Sequence, residues 1–181
     1  DVGAADKAQA EAMGIGVGCP AIYRPEYTPL WGDRVSATAL DDRGGLAAMV
    51  LAAKALKARR PRSTVHFVGT VWEEFNIRGA VFAARALRPG VALGLDVALA
   101  GDTADLRGRY DNALGLGPTV HGYSFHGRGT LNGTIPHEGL WKLARKAAKE
   151  EDIPLQRFAA LGIITETAYV QMEGEGIACL D

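Results

Sequence analysis

The chain has 181 residues, 48% apolar and 23% charged, with a formal net charge of −1. That balance is ordinary for a soluble globular protein and long enough for one domain, or one plus a small appendage. It argues against nucleic-acid binding, which needs clustered excess Lys and Arg, and no window reaches the ~18–20 consecutive apolar residues of a membrane span.

In chain order, "AADKAQAEAM" (Ala4–Met13) predicts a short helix with Asp6 and Glu11 outward. The Gly- and Pro-rich stretch that follows suits short strands and turns. "LDDRGGLAAMVLAAKALKARR" then predicts a helix with acids near its start and bases at its end. The basic run Lys54–Arg62 reads as a solvated helix end whose cations suit the negative pole of the helix dipole, in preference to a phosphate-binding patch. "STVHFVGTVW" predicts a strand covered on both faces, with His66 in the core. "RGAVFAARALR" predicts a helix stopping at Pro89-Gly90, and "VALGLDVALAG" a second apolar strand with one interior acid, Asp96.

Further on, "NALGLGPTVHGYS" predicts a Gly-rich strand, and "IPHEGLWKLARKAAKEEDI" a helix with Pro136 in its first turn. "PLQRFAALG" and "GIACLD" read as the last strands. Such alternation predicts an α/β fold with a mostly parallel central sheet and helices on both faces. The likeliest boundary lies near Asp33–Leu40, between a small β-rich part and the α/β part. Cys19 and Cys179 are too few for a disulfide framework and fit a reducing, cytoplasmic setting. The chain has no initiator Met and opens as though within a longer sequence, without a signal peptide.

Chemistry is expected beyond the carboxyl ends of the strands. Asp41 and Asp42 stand at a helix entry, Glu73 and Glu74 end the His66–Trp72 strand, and Asp96 lies inside an apolar run. Each has an ordinary structural explanation. Asp41 or Asp42 could cap the helix, Arg43 or Arg78 could neutralise a glutamate, and Asp96 could accept backbone N–H bonds. Together these explanations weaken, because several acids then meet at one sheet edge with few cations. A bound dication is the simplest partner, since it keeps carboxylates ionised. Neighbours on an extended strand point opposite ways, so one glutamate can ligate a metal while the other handles a proton. A metal that activates water and a carboxylate general base are what amide hydrolysis needs.

"ALDDRGG", "EEFNIRGA" and "LGLDVALAGD" resemble, in order and spacing, the tetrahedral-aminopeptidase family of dinuclear metallopeptidases, which includes glutamyl and deblocking aminopeptidases. "DVGAADKAQAEAMGIGVG", "LGLGPTV" and "GEGIACLD" extend the resemblance over essentially the whole chain. The resemblance implies a zinc-aminopeptidase-like α/β fold, with residues 1–35 the tail of an inserted PDZ-like β-rich dimerisation domain and 36–181 part of the catalytic domain. It implies that Asp41 bridges two divalent ions, zinc or cobalt, that Glu74 ligates one and Asp96 the other, and that Glu73 is the general base. It implies peptide substrates cleaved from the N-terminus and homo-oligomers, commonly dodecamers.

Several departures accompany it. The family's two histidine ligands fall before and after these residues, so the metal site here is expected to be incomplete. His121, His126 and His137 lie in or beside a Gly-rich loop, at no helical ligand spacing. "TETA" puts Glu166 where an Asp is usual, and Trp72 and Asn76 replace a Gln and a Gly around the Glu pair. The competing readings are a non-catalytic paralogue or subunit, and a related dinuclear carboxypeptidase or deacylase. An endoglucanase is disfavoured, because glycosidases need two carboxylates flanking a sugar bond.

Overall fold

A computed structural model describes all residues, Asp1–Asp181. The chain divides into two compact units, Asp1–Leu40 and Asp41–Asp181.

In the first unit, α1 (Lys7–Ala12) starts where the Asp6 side chain accepts from the Gln9 N–H at 2.8 Å. This is the ordinary way to satisfy an orphan donor at a helix N-terminus. Strands β1 (Tyr27–Pro29) and β2 (Val35–Ala37) pair antiparallel, Tyr27 opposite Ala37. The large side chains of this unit, Trp31 and Tyr23 among them, are exposed.

The second unit is mixed α/β, with two pairs of parallel strands and four helices. Helix α2 (Leu40–Ala58) has non-helical backbone at Asp41 and Asp42, so its regular turns begin after them. Helix α3 (Arg78–Leu87) leads to β3 (Val91–Leu93), which pairs parallel with β6 (Ala178–Leu180). Strand β4 (Thr119–Phe125) pairs parallel with β5 (Gln156–Leu161), Thr119 opposite Gln156, with an irregularity between His121 and Tyr123. Helices α4 (Glu138–Glu150) and α5 (Thr167–Val170) complete the unit. The core lies where α3, α5 and β6 meet: Ile77, Ala80, Ala84, Val170 and Cys179 are buried together, with Ala92 and Ile164 against them. No helix is long and apolar enough to cross a membrane.

Several expectations are corrected. Ser63–Trp72 forms no strand, and its apolar side chains stay partly exposed, Val65, Phe67 and Val68 among them. A strand exists only through its ladder bonds, and an apolar pattern does not provide the partner. His66 is therefore exposed, not a core residue. The Val91–Ala100 run is strand only at Val91–Leu93, where β6 runs beside it. Helix α4 begins at Glu138 with His137 as its cap, so Pro136 precedes the helix.

Candidate active site: an acidic cluster beside the Glu73 turn

Glu73 and Glu74 lie in a tight turn rather than at a strand end. The Ile77 N–H donates to the Glu73 carbonyl at 2.8 Å, and the Arg78 and Gly79 N–H groups donate to Trp72 and Val71. Closing this turn puts Trp72, Asn76 and Ile77 at φ 59°, 68° and 57°. That left-handed region is costly for residues other than glycine and occurs where a fold over-determines it. Asn76 takes the conformation a Gly would favour there, and its side-chain oxygen accepts from the Tyr169 hydroxyl at 3.2 Å. Glu73 is half-buried by the turn, and Glu74 is exposed beside it.

The other acids arrive from separate segments. Asp42 is the acid that caps α2, accepting from the Gly45 N–H at 2.8 Å. The Asp41–Asp42 peptide bond is cis. Asp96 accepts from its neighbour Val97 N–H at 2.7 Å. Glu166 accepts a hydrogen bond from the Thr70 hydroxyl. Asp181, whose side chain is 3% exposed, lies 2.9 Å from Nδ1–H of His121 and accepts from the Thr165 hydroxyl. Behind it, Thr165, Thr167 and Thr134 link their hydroxyls in a fully buried chain, Thr167 to Thr134 at 2.9 Å.

Electrostatics tie these acids together. Glu73 is raised from its ordinary 4.5 to about 7, first by burial, then by the charges of Asp96, Glu74, Glu166 and Asp41. Asp96 is raised to about 7, again first by burial; the Val97 N–H opposes the rise, and Asp181, Asp41 and Asp42 add to it. Burial likewise raises Glu166, against the pull of the Thr70 hydroxyl and with Asp181 and Asp42 contributing. Like charges in a water-poor site favour the protonated form. No cation opposes the effect at Glu73: Arg78 lies over the Trp72 ring instead, 5.8 Å from its centroid.

Charge effects thus link Glu73 with Asp96, Glu74 and Asp41, and Asp96 with Asp41 and Asp42. The structure adds two acids that sequence reasoning did not assign to the site, Glu166 and Asp181. The signal for Glu166 was its place in "TETA", a long acid where a short one is usual; Asp181, at the end of an apolar strand, gave none. Among the histidines, His121 is carried to the cluster by β4 rather than by the loop, and it stacks on Phe158. His126 bonds to Thr130, and His137 caps α4.

As a donor set, these carboxylates fit a divalent cation: hard oxygen ligands, partly withdrawn from water, with no positive side chain among them. In this structure no three such side chains stand close enough to hold an ion between them.

The unit is mixed α/β, with carboxylates brought from separate segments to the neighbourhood of the Glu73 turn. The family model described as M42 glutamyl aminopeptidase matches residues 1–181, and the chain belongs to that family. It is 41% identical over 180 residues to SgcX of Escherichia coli (strain K12), a protein named as a proposed aminopeptidase; the match covers 99% of this chain and 48% of SgcX. Among solved structures it resembles a TET aminopeptidase from a marine sediment archaeon, Thaumarchaeota archaeon SCGC AB-539-E09, with a TM-score of 0.89 and 30% identity over 99% of this chain and 49% of that one. It also resembles the TET1 peptidase of Pyrococcus horikoshii, described as assembling into a tetrahedron or a large octahedral shell, with a TM-score of 0.76 and 26% identity over 99% and 50% of the two chains. The chain spans about half the length of the relatives it matches.

Proposed function

We propose that the chain carries the carboxylate half of a metal-dependent aminopeptidase site that removes residues from peptide N-termini. Family membership supports the reaction class. The observation that carries the site is Glu73, a half-buried acid in a closed turn, with Asp96, Glu74, Glu166 and Asp41 as its charged surroundings. A carboxylate placed in such a turn is of the kind that serves as a general base.

In this reading Asp41, Glu74 and Asp96 would hold two divalent ions, zinc or cobalt, with Asp41 shared between them. When bound, such ions would supply polarisation of the scissile carbonyl and an easier ionisation of water. Glu73 takes the proton of the attacking water on a carboxylate oxygen and returns it to the leaving nitrogen. Asp42 holds the start of α2 and so fixes the position of Asp41. Residues 1–35 would be the tail of a PDZ-like β-rich dimerisation domain, and the protein would act in the cytoplasm; the assemblies described for the TET1 peptidase of Pyrococcus horikoshii support a homo-oligomer.

The test is a pair of variants of the metal-loaded protein, assayed on aminoacyl amides and by calorimetric titration with zinc or cobalt. Glu73→Gln is expected to lower turnover by at least about a hundredfold, the range of general-base contributions, and to leave metal binding intact. Asp41→Asn is expected to weaken both metal sites at once. Loss of metal from Glu73→Gln would reassign Glu73 as a ligand, and loss of a single site from Asp41→Asn would rule out bridging.

A further inference from the structure

Both sides of the Glu73 turn are tied to one short element, α5 together with the residue before it. On the entry side, the Thr70 hydroxyl donates to the Glu166 carboxylate, 96 residues further along the chain. It is the only such tie there: Ser63–Gly69 makes no hydrogen bond or ion pair with the rest of the chain. On the exit side, the Tyr169 hydroxyl donates to Asn76 Oδ1 at 3.2 Å. Ile77, next along, is buried in the cluster that holds Val170. The element is itself fixed from behind. Thr167 and Ala168 are buried, the Thr167 hydroxyl bonds that of Thr134 at 2.9 Å, and the Ala168 carbonyl accepts from the Asn132 amide at 3.0 Å. Thr165, just ahead, donates to the buried Asp181. Four residues are too few to hold a helix by their own turns, so these anchors set where α5 stands.

We propose that Glu166 and Tyr169 are positioning residues for Glu73: by holding the turn at Thr70 and at Asn76, they fix where its carboxylate stands. The inference rests on the reading of Glu73 as general base and adds to it the device that aims that base. Neither residue touches a reacting atom. The turn between them carries Trp72, Asn76 and Ile77 in the left-handed region. Such backbone keeps its shape only where the surroundings over-determine it. One hydrogen bond alone would leave the turn free to pivot about that point. Two bonds to a single fixed support, one on each side of Glu73, remove the pivot. The gain is in rate rather than in binding, because a reacting group displaced by about 1 Å costs about a hundredfold.

The test compares Thr70→Val, Tyr169→Phe and the double variant with Thr70→Ser, all metal-loaded, on aminoacyl amides. The first two remove a hydroxyl and keep the shape of the side chain; Thr70→Ser returns the hydroxyl. The double variant is expected to lower kcat by about a hundredfold, and each single variant by less. KM and calorimetric binding of zinc or cobalt should stay unchanged, the pattern of a group that acts only in the transition state. Thr70→Ser should recover most of the rate lost in Thr70→Val. Amide hydrogen exchange at Ile77, Arg78 and Gly79, whose N–H groups close the turn, gives a readout without turnover and should be faster in the double variant. Unchanged kcat there, beside a Glu73→Gln protein that has lost its turnover, would overturn the positioning and leave the aminopeptidase reading intact. A fall in kcat that comes with lost metal, or that Thr70→Ser does not recover, would overturn it as well. If Glu73→Gln turns over normally, the reading of Glu73 as general base falls instead. The exchange measurement then decides whether α5 holds the turn: faster exchange in the double variant keeps the tie, and unchanged protection removes it.

Discussion

At the scale of single residues, the Glu73 turn shows strain placed where chemistry is proposed. Ile77 is β-branched, buried and left-handed at φ 57°, a combination that open chains avoid. Asn76, at φ 68°, is the residue type besides glycine that tolerates this region, because its short polar side chain can bond locally. Here that bond comes from the Tyr169 hydroxyl. Asn76→Val is therefore expected to cost about 1–2 kcal/mol, the penalty of the left-handed region for a branched side chain. Urea unfolding measures it, and Asn76→Gly should be close to neutral in the same experiment. An equal stability for the Val variant would mean that the turn does not take this shape in solution. The position was legible in the sequence as a departure, Asn where a Gly is usual, although the direction of its backbone was not.

Among the elements, what could be read in advance depended on where each one finds its partners. Helices α3 and α4 carry their pattern within themselves, so "RGAVFAARALR" and the run through Lys149 gave them away within a few residues. The acids at the start of α2 announced a cap, and Asp42 supplies it. Strands β4 and β5 were legible because each meets the other with a long parallel ladder. Ser63–Trp72 has the same apolar signal and no ladder, and nothing local distinguishes the two cases. Helix α5, four residues long, and the three-residue β1 and β2 are too short to impose a period. Of the proposed site, Asp41, Glu73, Glu74 and Asp96 were legible from adjacency of acids to apolar runs. The role of Asp181 was not, because it depends on His121 and Thr165, far off in sequence. Close approach at the entry to β4 supplies an element-scale prediction. Gly117 has φ +94°, and a Cβ there would lie 2.0 Å from the Pro154 carbonyl oxygen. Gly117→Ala should destabilise the unit by more than about 1 kcal/mol, and hydrogen exchange should show the loss first in Thr119–Phe125. Unchanged protection of that strand would contradict the packing of β4 against the segment before β5.

For the molecule as a whole, the concentrated carboxylates set how stability responds to pH and to metal. Glu73 and Asp96 rise from 4.5 and 3.8 to about 7 on folding, chiefly through burial. A folded-state pKa above the unfolded one means that the native chain holds more protons between those values, so unfolding stability falls as pH rises. The contribution is fully present below about pH 4 and is lost as pH passes through about 7. This is the reverse of the usual carboxylate paired with a base, which stabilises at higher pH. Metal-stripped protein should therefore melt at a progressively lower temperature between about pH 5 and pH 8, the range over which these groups ionise. A divalent cation inverts the logic, because it favours the ionised acids and binds the folded state. Adding zinc or cobalt should raise the melting temperature most at the upper end of the range and flatten its dependence on pH. Both arms can be followed by circular dichroism in a chelated and a metal-loaded series. If melting temperature instead rises with pH in the chelated series, then cations of the chain itself, not bound metal, neutralise these acids, and the proposal for Asp41, Glu74 and Asp96 as metal ligands falls with that result.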